Sequence, residues 1–343
     1  MSAENGRDRP DLLEVSGLVK EFPVGRGLFS THGVVHAVQG VSFSLRTGET
    51  LAVVGESGCG KSTLARCVLR LLAPTAGTIL FEGTDITKAP FRELKTLRRD
   101  AAMVFQDPYG SLNPRMRVGS IVREPLREAK FGARSEIDER VRELLTRVGL
   151  NPEHFSRFPH EFSGGQRQRI GIARALALDP KLVVCDEPVS ALDLSAQAQI
   201  LNLLADLRDQ LGLAYLFITH NLDIVRRFCD RVLVMYLGKV VETAPVAALF
   251  AGPRHPYTAA LLSATPVPNP RLTRSRQRTQ LRGDPPSALA PPSGCPFHPR
   301  CPRAQEPCRV EMPPLTPAAN GHSFACHFPL DPPPGDDHLQ PGR

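Results

Sequence analysis

Residues 53–63 read Val53-Val54-Gly55-Glu56-Ser57-Gly58-Cys59-Gly60-Lys61-Ser62-Thr63 and fit the pattern Gly-x-x-x-x-Gly-Lys-Ser/Thr. The apolar residues 50–54 before the glycines predict a strand, and residues 62–69 after them predict a helix. Glycines in such a turn let consecutive backbone N–H groups point inward, and the helix N-terminus adds the positive end of its dipole. The stretch therefore predicts a phosphate-binding loop within an α/β fold.

Each residue type in this loop has a use in binding a nucleoside triphosphate. The Lys61 ammonium can reach the β- and γ-phosphates, and the Ser62 hydroxyl can ligate Mg²⁺. Backbone amides supply the remaining contacts to phosphate. The candidate nucleotide-binding residues of the loop are Gly55, Glu56, Ser57, Gly58, Cys59, Gly60, Lys61, Ser62 and Thr63.

Bulk composition excludes some classes of protein. No run of about 18 apolar residues appears, so nothing in the sequence predicts a membrane-spanning helix. Residues 1–10 lack the apolar core of a secretion signal, and we expect the protein to stay in the cytosol. The net charge is +7, but much of the excess lies in the Pro-flanked segment 271–282, so charge alone does not indicate a nucleic-acid partner.

Polar residues follow three further apolar runs that predict buried parallel strands. Gln106 follows the run 101–105, Asp186 and Glu187 end the run 182–187, and His220 ends the run 214–220. In open α/β sheets, ligands bind beyond the carboxyl ends of the strands. Asp186 suits a hold on Mg²⁺, Glu187 suits the base that polarises attacking water, and Gln106 and His220 suit contacts near the γ-phosphate. The candidate Mg²⁺ ligands are Ser62, Gln106 and Asp186, and the candidate catalytic residues are Lys61, Gln106, Glu187 and His220.

A second glycine-rich turn, at residues 162–166, precedes a predicted helix from Arg167 to Leu178. Taken together with the other motifs, it resembles the signature of ATP-binding-cassette (ABC) ATPases, with Phe162 in the usual Leu position. The phosphate-binding loop resembles their Walker A motif, Gln106 their Q-loop, Asp186 and Glu187 their Walker B motif and catalytic glutamate, and His220 their switch histidine. Residues that this resemblance adds to the nucleotide site are Phe22 as the adenine-stacking aromatic, Ser163, Gly164, Gly165 and Gln166 of the signature, and Asp193 of the D-loop.

The resemblance implies a fold and a domain plan. It predicts an α/β P-loop NTPase whose ABC nucleotide-binding domain spans residues 11–250. This domain would have a RecA-like core, an N-terminal antiparallel β subdomain and a helical subdomain at about 107–168. Residues 1–10 are expected to be a disordered tail. Residues 251–343 hold 21 of the 33 prolines, which predicts a small, loop-rich Pro/Cys-rich C-terminal domain.

Four further segments resemble the ATP-binding subunits of bacterial dipeptide and oligopeptide importers, and the loop at residues 22–29 is closest to the second, F-type ATPase of such systems. These segments are residues 105–114, 159–166, 255–258 and the loop Phe22-Pro23-Val24-Gly25-Arg26-Gly27-Leu28-Phe29. The resemblance implies an ATPase on the cytoplasmic face of the bacterial inner membrane. It would pair head to tail with a sister ATPase or a second copy of itself, and would serve two integral-membrane permeases and, indirectly, an extracytoplasmic binding protein, with no nucleic-acid partner.

The eight cysteines fall into two groups. Cys59, Cys67, Cys185 and Cys229 lie in apolar patterns and predict small buried side chains, whereas Cys295, Cys301, Cys308 and Cys326 cluster near the C-terminus. The clustered spacing lacks the paired Cys-x2-Cys of zinc ribbons. Related importer subunits carry a [4Fe–4S] cluster here, so the resemblance favours iron–sulfur; zinc and unligated thiols remain open, with His298, His322 and His327 as substitute ligands.

Three alternative functions remain compatible with these motifs. An importer of nickel or another small non-peptide solute would have a nearly identical cassette, because the permeases and binding protein choose the solute. A non-transport ABC ATPase acting on DNA or ribosomes would usually carry a coiled-coil insertion or a second cassette, and the sequence shows neither. A redox-gated switch would make the cysteine cluster the centre of the function.

Overall fold

The computed structural model describes residues 10–25, 33–90, 92–264 and 283–331. Most of the predicted tail, residues 26–29 of the importer-like loop and the arginine-rich segment 271–282 lie outside the described residues. The helices are α1 (Lys61–Val68), α2 (Lys95–Asp100), α3 (Val118–Glu128), α4 (Arg134–Arg147), α5 (Gly164–Ala175), α6 (Leu194–Leu211), α7 (Leu222–Phe228), α8 (Val246–Ala251), α9 (Pro256–Ala264) and α10 (Glu306–Val310).

The strands are β1 (Asp11–Val24), β2 (Gly33–Arg46), β3 (Thr50–Val54), β4 (Ala76–Phe81), β5 (Thr84–Asp85), β6 (Ala101–Val104), β7 (Leu182–Asp186), β8 (Ala214–Ile218), β9 (Arg231–Tyr236), β10 (Lys239–Pro245), β11 (Thr316–Pro317) and β12 (Ser323–Phe324). The chain forms two compact units. The first consists of the described residues of Met1–Leu13, Ser44–Thr50 and Leu80–Ile218. The second consists of the described residues of Glu14–Phe43, Leu51–Ile79 and Thr219–Arg343.

The first unit contains a parallel sheet in which β7 lies between β6 and β8. Every residue of β7 and β8 is buried, as expected of central strands covered on both faces. Helices α3, α4 and α5 pack against one another, and α5 also packs on β6 and α6. The carboxyl ends of β6 and β7 thus carry Gln106 and the pair Asp186–Glu187 at one edge of this sheet, as the sequence predicts.

The second unit contains the strand that leads into the phosphate-binding loop. Strand β3 runs parallel to β9, and β9 forms an antiparallel hairpin with β10. The short C-terminal strand β12 pairs with β10, and β11 pairs with β12. The described residues beyond 250 therefore extend the same sheet that carries the phosphate-binding loop, although their strands have two residues each and their helices nine residues or fewer.

Several element boundaries differ from the sequence-based expectation. Residues 12–15 and 19–22, whose apolar patterns each predict a short strand, belong to one 14-residue strand, β1, and its neighbour β2 is equally long. Helix α5 begins at Gly164 rather than at Arg167. The Ser163 side chain accepts from Gln166 N–H and the Gln166 side chain accepts from Ser163 N–H, a capping box that starts the helix before the glycines end.

Among the helices of the described ranges, none is long and apolar enough to cross a membrane.

Candidate functional site

The phosphate-binding loop ends where Gly60 caps α1. Gly60 has φ 102°, in the left-handed region that favours glycine. The loop tip at Ser57 and Gly58 is exposed, whereas Gly55 and Cys59 behind it are buried. The tip of the loop is therefore accessible from solvent, while the residues at its two ends are fixed in the core.

Lys61 is held within the loop that it serves. Its ammonium donates to the carbonyl oxygens of Gly55 and Glu56, at 2.9 Å each, and lies 3.8 Å from Cys59 Sγ. The residue is only 5% exposed, so its positive charge acts on the loop and is shielded from bulk water. Ser62 and Thr63, the next two residues of α1, are half-buried at the start of the helix. The predicted positions of Lys61 and Ser62 at a helix N-terminus are thus confirmed, and their contacts with nucleotide and Mg²⁺ stay predictions.

His220 shares a cleft with the phosphate-binding loop. The cleft has a volume of about 390 Å³, and its walls include Gly55, Glu56, His220 and Asn221. The His220 side chain is exposed, and the next residue, Asn221, caps α7 by accepting from Asp223 and Ile224 N–H. The second unit therefore places the histidine predicted to sense the γ-phosphate in a cleft with the first residues of the loop predicted to bind phosphate.

Phe22 lies on β1 in the same unit and is half-buried. The Lys20 ammonium sits 4.9 Å from the centre of its ring, a cation–π distance. One ring face thus already contacts a positive charge. The adenine-stacking role of Phe22 remains a prediction.

In the first unit, Gln106 and Glu187 touch. Gln106 Nε2 donates to Glu187 Oε2 at 3.1 Å, although the two residues are 81 positions apart. Asp186 ends β7 and is 4% exposed, whereas Glu187 is half-buried and reaches solvent. The two predicted carboxylates therefore differ in environment, which suits a buried residue near a cation and an accessible base.

The backbone of Glu187 is strained and firmly held. Its φ of 46° places a non-glycine residue in the left-handed region directly after a strand. Its N–H donates to Ile218 O at 3.0 Å, and its carbonyl accepts from Ser190 N–H and Ser190 Oγ. Such strain persists only where neighbouring bonds fix it, and it is common at catalytic positions.

The signature and D-loop residues are found at helix starts. Ser163 is the N-cap of α5, with Gly164, Gly165 and Gln166 in its first turn, and Asp193 caps α6 by accepting from Ala196 N–H at 2.9 Å. A Cβ on Gly165 would lie 3.2 Å from Ala196 Cβ, so the signature glycine also permits close helix packing. Asp193 therefore has a structural role that its sequence pattern did not show. The nucleotide contacts of Ser163–Gln166 and Asp193 stay predictions.

Two residues beyond position 250 contact the phosphate-binding loop, and sequence reasoning assigned a role at this site to neither. Arg300 Nη1 and Nη2 donate to Glu56 Oε2 and Oε1 at 2.7 and 3.1 Å. Glu56 N–H donates to the Tyr257 hydroxyl oxygen at 2.9 Å. Tyr257 belongs to the His255–Thr258 motif noted above, whereas Arg300 carried no signal in the sequence.

The cysteines behave as two groups, as predicted. Cys59, Cys67, Cys185 and Cys229 are free and buried. The other group converges: Cys295, Cys301, Cys308 and Cys326 line one small cavity. Burial raises the pKa of Cys295 and of Cys326 to about 11, so these thiols ionise near neutral pH only if a cation supplies compensating charge.

His255 also lines the cysteine cavity and was not among the predicted ligands. Its Nδ1 accepts from Tyr257 N–H at 3.1 Å, which leaves the ring proton on Nε2. Burial lowers the pKa of His255 to about 4, so the ring is neutral at pH 7. Nε2–H is buried and has no hydrogen-bond partner among the described residues. This buried N–H needs a hydrogen-bond acceptor, and a group bound in the cavity beside the four sulfur atoms would supply one.

The three histidines predicted as substitute ligands differ in whether they line the cysteine cavity. His298 and His327 line the cavity, but each uses one ring nitrogen to donate to a backbone carbonyl, of Cys295 and Glu311 respectively, at 3.0 Å. His322 instead lies 2.6 Å from the buried Glu242 carboxylate and does not line the cavity. Within the described ranges, no three His, Cys, Asp or Glu side chains are close enough to hold a single metal ion.

Each unit thus contains some of the residues that nucleotide hydrolysis requires. The second has a glycine-rich loop between a parallel strand and a helix, with a buried lysine, and the first has a buried aspartate and an accessible glutamate after a central strand. Together with the α/β sheets, these features define a P-loop nucleoside triphosphatase.

Comparison with known proteins identifies the type of P-loop protein. The family described as "ABC transporter" matches residues 38–190, and "Oligopeptide/dipeptide transporter, C-terminal region" matches residues 241–308. A probable peptide ABC transporter ATP-binding protein of Sinorhizobium fredii is 55% identical, with 92% of this chain and 89% of that protein covered. The oligopeptide transport ATP-binding protein AppF of Bacillus subtilis is 52% identical over 92% of this chain and 97% of its own length.

A solved structure agrees with the fold. A dimeric post-hydrolysis state of the ATP-binding cassette MJ0796, bound to ADP and Pi, superimposes with a TM-score of 0.61 at 29% identity, covering 68% of this chain and 98% of that one. The chain belongs to the family of ABC transporter ATP-binding proteins that carry the oligopeptide/dipeptide transporter C-terminal region. It is an ATPase of the ABC type, which uses ATP and Mg²⁺.

Proposed function

We propose that this chain hydrolyses ATP to power the import of di- or oligopeptides through partner permeases at the cytoplasmic face of the inner membrane. The observation that carries the proposal is the high identity to peptide-transport ATP-binding proteins along nearly the whole chain, including the C-terminal region. The relatives named above transport peptides by description, which favours a peptide over nickel or another small solute.

The residues of the two units would divide the work of hydrolysis. In the second unit, Lys61 and the amides of its loop would bind the phosphates and the Ser62 hydroxyl would ligate Mg²⁺. In the first unit, Asp186 is the candidate Mg²⁺ ligand, and the ion would neutralise phosphate charge. Glu187 accepts a proton from the attacking water as the water oxygen bonds to the γ-phosphorus. The bond to the β–γ bridging oxygen breaks, leaving ADP and phosphate. Gln106, hydrogen-bonded to Glu187, orients that base, and His220 contacts the γ-phosphate from the cleft.

Two cassettes would pair head to tail, so that each ATP lies between the Lys61 loop of one and the Ser163–Gly165 turn of the other. A sister subunit or a second copy could supply the second cassette, and the F-type resemblance favours the sister. ATP binding would close the pair and hydrolysis would reopen it, moving the permeases between two states.

The proposal predicts that uptake of peptides depends on the Glu187 carboxylate. In a host strain that lacks this chain, the wild-type protein should restore uptake of labelled di- and oligopeptides, and Glu187→Gln should not, because its turnover is too slow to drive transport. Uptake of labelled nickel and of a sugar in the same cells tests the alternative solutes. Restored uptake of one of these, with unchanged peptide uptake, would contradict the peptide assignment.

We further infer that Cys295, Cys301, Cys308 and Cys326 hold a [4Fe–4S] cluster. Four thiols around one cavity supply the ligand number that such a cluster needs. The spacing of the four cysteines lacks the paired Cys-x2-Cys of zinc ribbons, which favours a cluster over a single zinc ion. The unpartnered His255 Nε2–H fits a cluster, whose sulfide and thiolate sulfurs accept hydrogen bonds. The cluster would supply a cross-link to a loop-rich region that has little apolar core.

Iron and sulfide analysis of anaerobically purified protein tests the cluster. We expect a brown protein with about four irons per chain, and Cys308→Ser should lose most of the iron because it removes one of four ligands. Cys229→Ser is the matched control, since Cys229 is buried but does not line the cavity. A colourless wild-type protein, or one that contains zinc, would rule out the cluster and leave the ATPase assignment intact.

A further inference from the structure

The phosphate-binding loop contains an acidic residue. Glu56 is the first residue after Gly55, and its side chain is 24% exposed. A carboxylate a few ångströms from a triphosphate repels it, and in a partly buried site this repulsion is only weakly screened. The loop can therefore bind ATP well only if this charge is compensated and directed away from the phosphates.

Arg300 compensates the negative charge of the Glu56 carboxylate. Its two Nη atoms form parallel hydrogen bonds with the two Glu56 carboxylate oxygens, at 2.7 and 3.1 Å, across 244 positions of sequence. The Arg300 side chain is 7% exposed, and its Nη1 also donates to the Tyr236 hydroxyl oxygen at 3.3 Å. A two-point contact of this kind fixes the direction of the carboxylate as well as its charge, which a lysine could not do.

Tyr257 holds the backbone of the same residue. Its hydroxyl oxygen accepts from Glu56 N–H at 2.9 Å, so this amide is directed at the tyrosine. Tyr257 is fully buried, and its ring packs against Tyr236 and Phe297, with centres 4.7 and 5.3 Å away. The Glu56 carbonyl, in turn, accepts from Lys61. The side chain, the amide and the carbonyl of Glu56 are thus each fixed by a different partner.

We propose that Arg300 is a positioning residue for ATP binding. It holds the Glu56 carboxylate away from the phosphate-binding face of the loop while Tyr257 fixes the Glu56 amide. The region beyond residue 250 then has a direct role at the nucleotide site: it keeps the loop in the conformation that accepts an anion. Arg300 does not touch the reacting atoms, so its contribution belongs to binding and not to the rate of the chemical step.

The experiment compares Arg300→Met with wild type in full-length purified protein, using titration with a fluorescent ATP analogue and steady-state hydrolysis. We expect the Kd for nucleotide and the KM for ATP to rise about tenfold, because a freed carboxylate faces the phosphates at an effective dielectric well below that of water. The value of kcat should change less than twofold. A residue that only stabilises the fold would instead lower the fraction of active protein and leave the KM unchanged.

The second variant pair tests the electrostatic cause. In a Glu56→Gln background, Arg300→Met should change the Kd less than twofold, since no carboxylate remains to be released. Arg254→Met is the matched control: Arg254 also ties down the C-terminal region, through Leu330 O at 2.7 Å, but does not contact the loop, and its Kd should equal that of wild type. Thermal unfolding of all variants reports any general loss of stability.

The proposal is overturned if Arg300→Met binds nucleotide as tightly as wild type, or if it weakens binding equally in the wild-type and the Glu56→Gln backgrounds. If Arg300→Met fails to fold, Arg300→Lys gives the same comparison. It keeps a positive charge but cannot form two parallel bonds, and we expect a rise in Kd of about threefold that disappears in the Glu56→Gln background. An unchanged Kd for Arg300→Lys would then contradict the need for a two-point contact.

Discussion

Glu187→Gln is expected to lower the kcat of ATP hydrolysis by about 10³-fold while leaving the Kd for ATP within about threefold of wild type. A glutamine amide cannot accept the proton of the attacking water, so the variant loses general-base catalysis. It keeps the size and shape of the side chain. Binding is carried mainly by the phosphate-binding loop and Mg²⁺, which this substitution does not alter.

The structure makes this substitution a clean test of the base. Gln106 Nε2 donates to Glu187 Oε2 at 3.1 Å, and the carbonyl oxygen of a glutamine at position 187 could accept the same bond. The strained backbone at φ 46° is fixed by Ile218 and Ser190 through main-chain atoms of residue 187, which remain after the change. The position of the side chain is therefore preserved, and only its proton affinity is lost.

Phosphate release and nucleotide titration on the same preparation separate the two effects. Glu143→Gln is a suitable control, because Glu143 lies on α4 with 57% of its side chain exposed and pairs with Arg140 at the surface. Its kcat should equal that of wild type. If Glu187→Gln kept more than a tenth of the wild-type turnover, another group would have to act as the base.

The sequence predicted those parts of the fold in which a local sequence pattern determines the secondary structure. The apolar runs at 182–186 and 214–218 are buried strands, and the glycine-rich stretch after 50–54 begins a helix. These features depend on residues close together in the chain: periodicity, turn chemistry and capping. The start of α5 was misplaced by three residues because the reciprocal Ser163–Gln166 cap was not recognised in the sequence.

The contacts that could not be predicted join distant segments. The pairing of Arg300 with Glu56 and the orientation of His255 toward Tyr257 follow from how the region beyond 250 packs on β9 and β10, and no local pattern encodes that packing. Likewise, Asp193 was assigned only to nucleotide, although its side chain caps α6. A polar residue in a motif can both cap a helix and bind a ligand. The sequence alone does not distinguish these two roles.

Gly60→Ala is the second substitution with a large expected effect. Gly60 has φ 102°, which costs a residue with a Cβ roughly 1–2 kcal/mol. A Cβ at this position would also lie 2.0 Å from the carbonyl oxygen of Ala37. That neighbour is backbone and cannot rotate away, so either the loop or β2 must move, at a further cost of about 1–3 kcal/mol.

The displacement would act directly on nucleotide binding, because Gly60 is the cap that sets the first turn of α1 and the position of Lys61. Losing two charge-assisted hydrogen bonds to phosphate raises the Kd for ATP by about 100-fold or more. We therefore expect Gly60→Ala to unfold at lower temperature and to show no ATP binding at concentrations that saturate wild type, as measured by thermal unfolding with and without Mg²⁺–ATP.

Gly171→Ala separates the loss of a glycine from the loss of this particular geometry. Gly171 lies within α5, its φ is not positive, and no atom lies within 4 Å of a Cβ built there. Alanine in a helix interior is favoured over glycine by roughly 0.5–1 kcal/mol, so this variant should be slightly more stable and bind ATP normally. If Gly60→Ala bound ATP within threefold of wild type, the loop could accommodate a Cβ against Ala37. The close backbone approach would then not be what fixes the helix N-terminus for phosphate.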